Sequence, residues 1–197
     1  MHIDTVNIHI GLPAVSAIPG IDFASLLAFA DSPASEPKPG SLTPPQFGEY
    51  WVGQGGLYVG VRRGFHTKKP IHLILPTDPR AIFEGVSLGT YDVDVTGATS
   101  DCDGLANTQA LAKAGSKLCQ AALDLEIEGH KDFFLMSRFD ARLCHMNLPE
   151  QFEKAWYLTS TQASRSYAWF QDFTNGDQDN YHLSFEARAM FVRRLVL

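Results

Sequence analysis

Residues 155–197 read AWYLTSTQASRSYAWFQDFTNGDQDNYHLSFEARAMFVRRLVL. Three apolar or aromatic runs stand in this stretch, at 155–158, 167–173 and 189–196, and Ser, Thr, Asn, Asp, Gln and Gly fill the segments between them. Runs of that length, bounded by turn-forming polar residues, predict strands joined by exposed loops. Ten of the 22 aromatic residues fall within 151–197, so the segment holds more rings than a small sheet needs for its core. Aromatics carried on polar connections also make adaptable contact surfaces. The rest of the chain reads as the frame that holds this segment.

Working outward, residues 55–61 (GGLYVGV) and 71–75 (IHLIL) predict two strands joined by a basic turn at 62–69. Pro76 and Pro79 close the second strand. Residues 80–91 show no period. The DCDG turn at 101–104 can cap a helix over 106–114, which Gly115 stops. Ser116 caps a second helix over 117–125, with Leu118, Ala122 and Leu125 on one face. Residues 132–135 (DFFL) form a short extended piece. Ser137 and Asp140 have the spacing of a capping box, opening a helix to about Met146 that is expected to bury Phe139, Leu143 and Met146. The order strands, helices, strands predicts an α+β fold, an antiparallel sheet with its helices gathered on one side.

Ahead of this lies a different kind of sequence. Residues 1–22 alternate in places, residues 22–30 suit a short helix, and the Pro-rich stretch 34–45 reads as a linker. The chain therefore divides into an arm and linker, 1–45, and a compact domain, 46–197. An arm too small for its own core either makes attachment or oligomer contacts or packs back on its own domain.

The 197 residues carry a net charge of −6 with no dense basic face, which disfavours a nucleic-acid partner. No apolar run approaches the roughly 20 residues that span a bilayer. The first 20 residues contain no Lys or Arg, so a secretory signal is not expected there. Cys102, Cys119 and Cys144 are widely spaced and odd in number, which suits free thiols; a Cys102–Cys144 bridge is the alternative.

The usual catalytic patterns are missing. The seven His are scattered without HxH or HxxxH spacing. The stretch TNGDQDN, 174–180, alternates oxygen ligands but lacks the later bidentate Glu of a calcium loop, and reads as a solvated hairpin turn. GQGG at 53–56 precedes a strand rather than following one. Ser137, Ser160 and Ser166 lack a nucleophile-elbow context. No catalytic residue, metal site or cofactor is expected, and the chain reads as a binding protein rather than an enzyme.

The contact residues are sought on the polar connections. Ser164, Arg165, Tyr167, Asp177, Asp179, Asn180, Tyr181 and His182 are the candidate ligand-binding set, with Tyr167 and Tyr181 as anchors and Arg165, Asp177, Asp179, Asn180 and His182 as polar partners. Trp169 and Phe185 are further anchor candidates, although period-2 alternation places Trp156, Trp169, Phe173 and Val192 in the core.

Several motifs occur in a fixed order: DCDGLANT at 101–108, GHKDFFLMSR at 129–138, WYLTSTQ at 156–162, AWFQDF at 168–173, GDQ at 176–178 and AMFVRR at 189–194. Together they resemble a phage and bacterial family with a C-type-lectin-like fold. That family includes phage tail-fibre tip proteins, the C-terminal domain of a collagen-like adhesin and the variable proteins of diversity-generating retroelements. The resemblance covers roughly residues 55–197. The chain departs from the family where Phe133, Met136 and Leu158 replace a usual Trp, Pro and Trp. The resemblance implies a C-type-lectin-like domain that displays polar, aromatic loops for a host-surface glycan or protein. It further implies a virion location after assembly in the host cytoplasm, attachment to other tail proteins through the arm, and a homotrimer. A purely structural baseplate or decoration protein, and a bacterial adhesin, are the alternatives. Some members of the fold superfamily are enzymes, so fold alone assigns no activity.

Overall fold

The computed structural model describes residues 42–64 and 68–197. The arm and most of the linker expected over 1–45, and the tip of the basic turn, lie outside the described residues. The domain is α+β. Its strands are β1 (Tyr50–Trp51), β2 (Gly56–Arg63), β3 (Pro70–Leu75), β4 (Ile82–Val86), β5 (Phe133–Leu135), β6 (Trp156–Ser164), β7 (Tyr167–Asp172), β8 (Gln178–His182) and β9 (Ala187–Val196). Its helices are α1 (Gly104–Lys113), α2 (Lys117–Asp124) and α3 (Arg138–Asn147).

β9 is the strand on which the sheet is assembled. The order is β1-β2-β3-β9-β6-β7-β8, and β4 and β5 pair with further lengths of β9. β9 runs antiparallel to β3, β4 and β5 and meets β6 in a parallel contact, Tyr157 opposite Arg188. Its sequence explains the position. AMFV is apolar on both faces, the form of a strand covered above and below. Ala189 and Phe191 enter one core with Leu111, Leu118, Phe133, Leu158 and Phe170. Met190 and Val192 enter the other with Val59, Leu73, Phe134, Ala141 and Cys144. α1 and α2 thus cover one face and α3 the other, so the expected gathering of helices on one side is corrected. The cause is the alternation at 133–136: Phe133 and Leu135 point one way, Phe134 and Met136 the other, and each pair needs a cover.

The helix ends follow the expected chemistry. Asp103 Oδ1 accepts from the Ala106 N–H, and Ser116 Oγ accepts from the Cys119 N–H. Ser137 and Asp140 form the complete reciprocal box. Gly104, at the start of α1, lies so close to β5 that a Cβ there would stand 2.8 Å from the Phe134 ring.

The face that α3 buries differs from the expectation. Asp140, Ala141 and Cys144 point inward, whereas Phe139 and Met146 are exposed and Leu143 is half-buried. Two forces turn the helix this way. Small Ala141 and Cys144 let its backbone approach the sheet, and buried Asp140 pairs with Arg62 Nε of β2 at 2.9 Å. Two strands also escaped the sequence reading. β4 forms where no period was visible, because its residues are mostly exposed; its pairing with β9 and the packing of Phe83 and Val86 against the core order it. β8 forms within the stretch read as a polar loop.

Candidate functional site

The outer face of β7 and β8 is built by strict alternation. Ala168 and Phe170 of β7 are buried in the core under α1 and α2, which turns Tyr167 and Trp169 to the opposite side. β8 pairs with β7 in register, setting His182 opposite Tyr167, Asn180 opposite Trp169 and Gln178 opposite Gln171. The Tyr167 and His182 rings meet edge to face, 5.7 Å between centroids. Trp169 is half-buried and stays outside both cores. The expectation of a core Trp169 is therefore corrected, while Phe173 and Val192 are buried as expected and Trp156 packs against the core from its edge.

Trp169 is held by Arg138, the first residue of α3. The guanidinium carbon lies 3.6 Å from the indole ring centre. Arg138 Nε donates to Gln178 Oε1 at 3.0 Å, and Nη1 stands 3.7 Å from Asp101 Oδ1. Gln178 Nε2 donates in return to the Arg138 carbonyl and to Gln171 Oε1. The Arg138 N–H donates to Thr161 Oγ1, which itself donates to the Ser100 carbonyl. Below these, buried Asn107 accepts from the Ser100 N–H and donates to the Ser100 carbonyl. The cation and the ring are thus fixed by a polar lattice joining α1, α3, β6 and β8, and such a stack is worth about 0.5–2 kcal/mol.

The eight candidate residues do not converge on one spot. Ser164, Arg165, Tyr167 and His182 gather at the β6–β7 turn. There Arg165 Nη2 donates to the Asp92 carbonyl at 2.7 Å, and Ser166 Oγ donates to Asp92 Oδ1. Asn180 lies on the same face, beside Trp169. Asp177 sits at the far end of the hairpin, roughly 17 Å away along six strand residues, bonded to Asn175 Nδ2. Asp179 and Tyr181 belong to the other side of β8, opposite Phe170 and Ala168. Tyr181 packs edge-on against Trp156 and Phe170 and stacks on Phe185. Its placement on a loop is corrected: it is a frame aromatic of an edge strand. The hydrophobic partners of Tyr181 come from three separate stretches, so no local pattern announces them.

Arg138 and Gln178 are the members that sequence reasoning missed. The signal for Trp169 was present, since Ala168 and Phe170 as the inward pair force Tyr167 and Trp169 outward together. Nothing local marked Arg138, because its contact with Trp169 spans two elements.

Cys119 and Cys144 are buried in the two cores, and Cys102 adjoins the polar lattice, its Sγ 3.7 Å from Ser100 Oγ. Cys102, Cys119 and Cys144 are free. Burial pushes the Cys119 thiol up to about 12, and burial with nearby Asp140 raises Cys144 well above the usual thiol range. Both are held as uncharged thiols, a state that suits packing and not attack. Among the described residues no group of three or more His, Cys, Asp or Glu is placed to hold a metal ion. A cleft of about 980 Å³ opens beside β4 and β9, lined by Glu84, His145, Glu153, Tyr157 and Arg188 among others. Two pairs form within it: Arg188 with Glu84 at 2.8 Å, and the Tyr157 hydroxyl with the Glu153 N–H. Among the described residues no helix is long and apolar enough to cross a membrane.

Compared with models of known protein families and with curated proteins, the sequence matches none of them.

Proposed function

We propose that this chain is a C-type-lectin-like receptor-binding protein of a phage or prophage tail tip or tail fibre. It binds a host-surface glycan or protein through the outer face of β7 and β8. The observation that carries the reading is the Arg138–Trp169 stack. It is a half-buried cation and ring, ordered before any ligand arrives, with Tyr167, Asn180 and His182 beside it on paired strands. Preorganised aromatic area with hydrogen-bonding neighbours lowers the ordering cost of binding. Flat faces and N–H edges suit the pyranose rings and hydroxyls of a glycan, or the planar groups of a protein loop.

Support for the lectin-like fold comes from the chain path, which returns its last strand to pair with β3 near the start of the domain. The motif residues behind the resemblance also fill frame roles. Asp103 and Ser137 cap helices, Asn107 ties Ser100 to β6, and Gln162 bonds Val93 and Val95. A frame so specified leaves its outer face to vary. In this reading the protein acts by binding and not by catalysis. It joins other tail proteins through residues 1–45, works as a homotrimer, and resides in the virion. The exposed apolar stripe on α3 favours a second reading, a structural baseplate or decoration protein.

An array of bacterial envelope glycans and outer-surface proteins, probed with the fluorescent full chain, tests the first reading. Selective binding to a subset, lost in Trp169→Ala and Asn180→Ala, is expected. Binding to nothing on the array or to intact cells favours the structural role.

A further inference from the structure

Phe139, Leu143 and Met146 recur at the spacing of one helical stripe, and α3 turns that stripe outward. Met146 is 69% exposed and Phe139 42%. With Arg62, Arg63 and Arg142 they line a groove of about 360 Å³ between α3 and β2. Exposed Phe47 continues the apolar surface, since its ring and the Leu143 side chain both adjoin Gly60. Contiguous apolar area of this kind, rimmed by polar groups, marks an interaction site.

The rim decides the partner. Among the described residues, the three charged ones that line the groove are all arginines, in a chain of net charge −6. Arg62 is fixed by Asp140 and by the Cys102 carbonyl, and Arg142 by the Gly176 carbonyl at 2.6 Å. The Asp140 carboxylate offsets the Arg62 charge, so the positive charge of the rim is carried by Arg142, held in place, and by exposed Arg63. A contact of this groove with the same groove on a second copy would bring the rim against itself, and like charges juxtaposed at an interface cost several kcal/mol.

We propose that the α3–β2 groove docks an acidic amphipathic segment of a partner protein. Apolar side chains of the segment sit among Phe139, Leu143 and Met146, and its carboxylates face Arg63 and Arg142. This surface is independent of the receptor-binding reading, and the two can fail separately.

The test uses the full chain and a labelled synthetic peptide of about 14 residues with Leu on one helical stripe and Glu elsewhere. A Lys-for-Glu counterpart serves as control, and binding is read by fluorescence anisotropy. The acidic peptide is expected to bind saturably, at least about tenfold more tightly than the basic one, and to weaken about tenfold between ~50 and ~300 mM NaCl. Met146→Glu and Arg63→Glu should each reduce its affinity about tenfold while leaving the melting temperature in place, because both side chains are exposed. The proposal is overturned if the acidic peptide does not saturate, if both peptides bind alike, or if neither substitution changes binding. Self-association abolished by Met146→Glu would assign the groove to a second copy and overturn it. So would co-sedimentation with phosphatidylserine vesicles, lost in Met146→Glu, in the absence of peptide binding.

Discussion

His72 shows how one side chain ties this fold to pH. It is buried on β3, its Nδ1 is 2.9 Å from the Tyr58 hydroxyl, and the Trp51 ring lies edge-on to it. Burial disfavours the imidazolium, so its pKa is lowered from 6.5. The unfolded chain then takes up the proton first as pH falls. The stability held by neutral His72 is complete above pH 6.5 and is lost as pH drops through 6.5 toward the lowered folded value. Melting curves across this window should fall more steeply for the wild type than for His72→Gln, and parallel curves would refute the assignment. At this scale the sequence was a partial guide. It put forward Tyr167 from the start of an apolar run, and Asn180 and His182 from the polar segment between runs. It misplaced Trp169 and Tyr181, because which face of a strand is inward is settled by the packing of Ala168 and Phe170 against distant helices.

Helix α3 is the element on which both surfaces depend. Its first residue carries the Arg138–Trp169 stack, and its outward stripe forms the arginine-rimmed groove. Its start is secured by Ser137 Oγ, which accepts from the Asp140 N–H and donates to Asp140 Oδ2 at 2.6 Å. Ser137→Ala removes both bonds in a buried setting and should cost about 2 kcal/mol, the upper end for a cap. Met146→Glu, on the exposed side of the same helix, should change stability by no more than about 0.5 kcal/mol. Urea unfolding of the two variants checks the contrast, and an inverted order would mean that α3 faces the other way. The capping box, the Gly115 stop and the strands at 56–63 and 70–75 were legible because their signals are local, whereas the apolar run at 155–158 showed only the first part of β6, whose polar residues 159–164 read as a connection. The rotation of α3 was not, since apolar content alone cannot outweigh a buried Asp140–Arg62 pair that forms only once β2 is in place. β8 was hidden for a related reason: a polar edge strand has no apolar period of its own.

At the scale of the molecule, β9 joins both halves of the domain, and residues 1–45 are proposed as the arm that attaches it. Removing residues 1–40 should leave a domain that melts cooperatively but no longer enters its assembly, as followed by sedimentation. Loss of cooperative melting would instead make the arm part of the core. The sequence conveyed α+β composition and the importance of the C-terminal segment. It could not convey the two-sided cover, which depends on how residues 133–136 split between cores. The central claim, that the outer face of β7 and β8 contacts a receptor, is tested most directly by measuring adsorption to receptor-bearing cells and thermal stability together for Trp169→Ala and Phe170→Ala. Trp169→Ala should lose about 0.5–2 kcal/mol of stability, the worth of its stack, and most of its adsorption. Phe170→Ala should lose about 3–5 kcal/mol as a core truncation, yet retain adsorption in the fraction that stays folded. Trp169→Ala that adsorbs like the wild type would contradict the account.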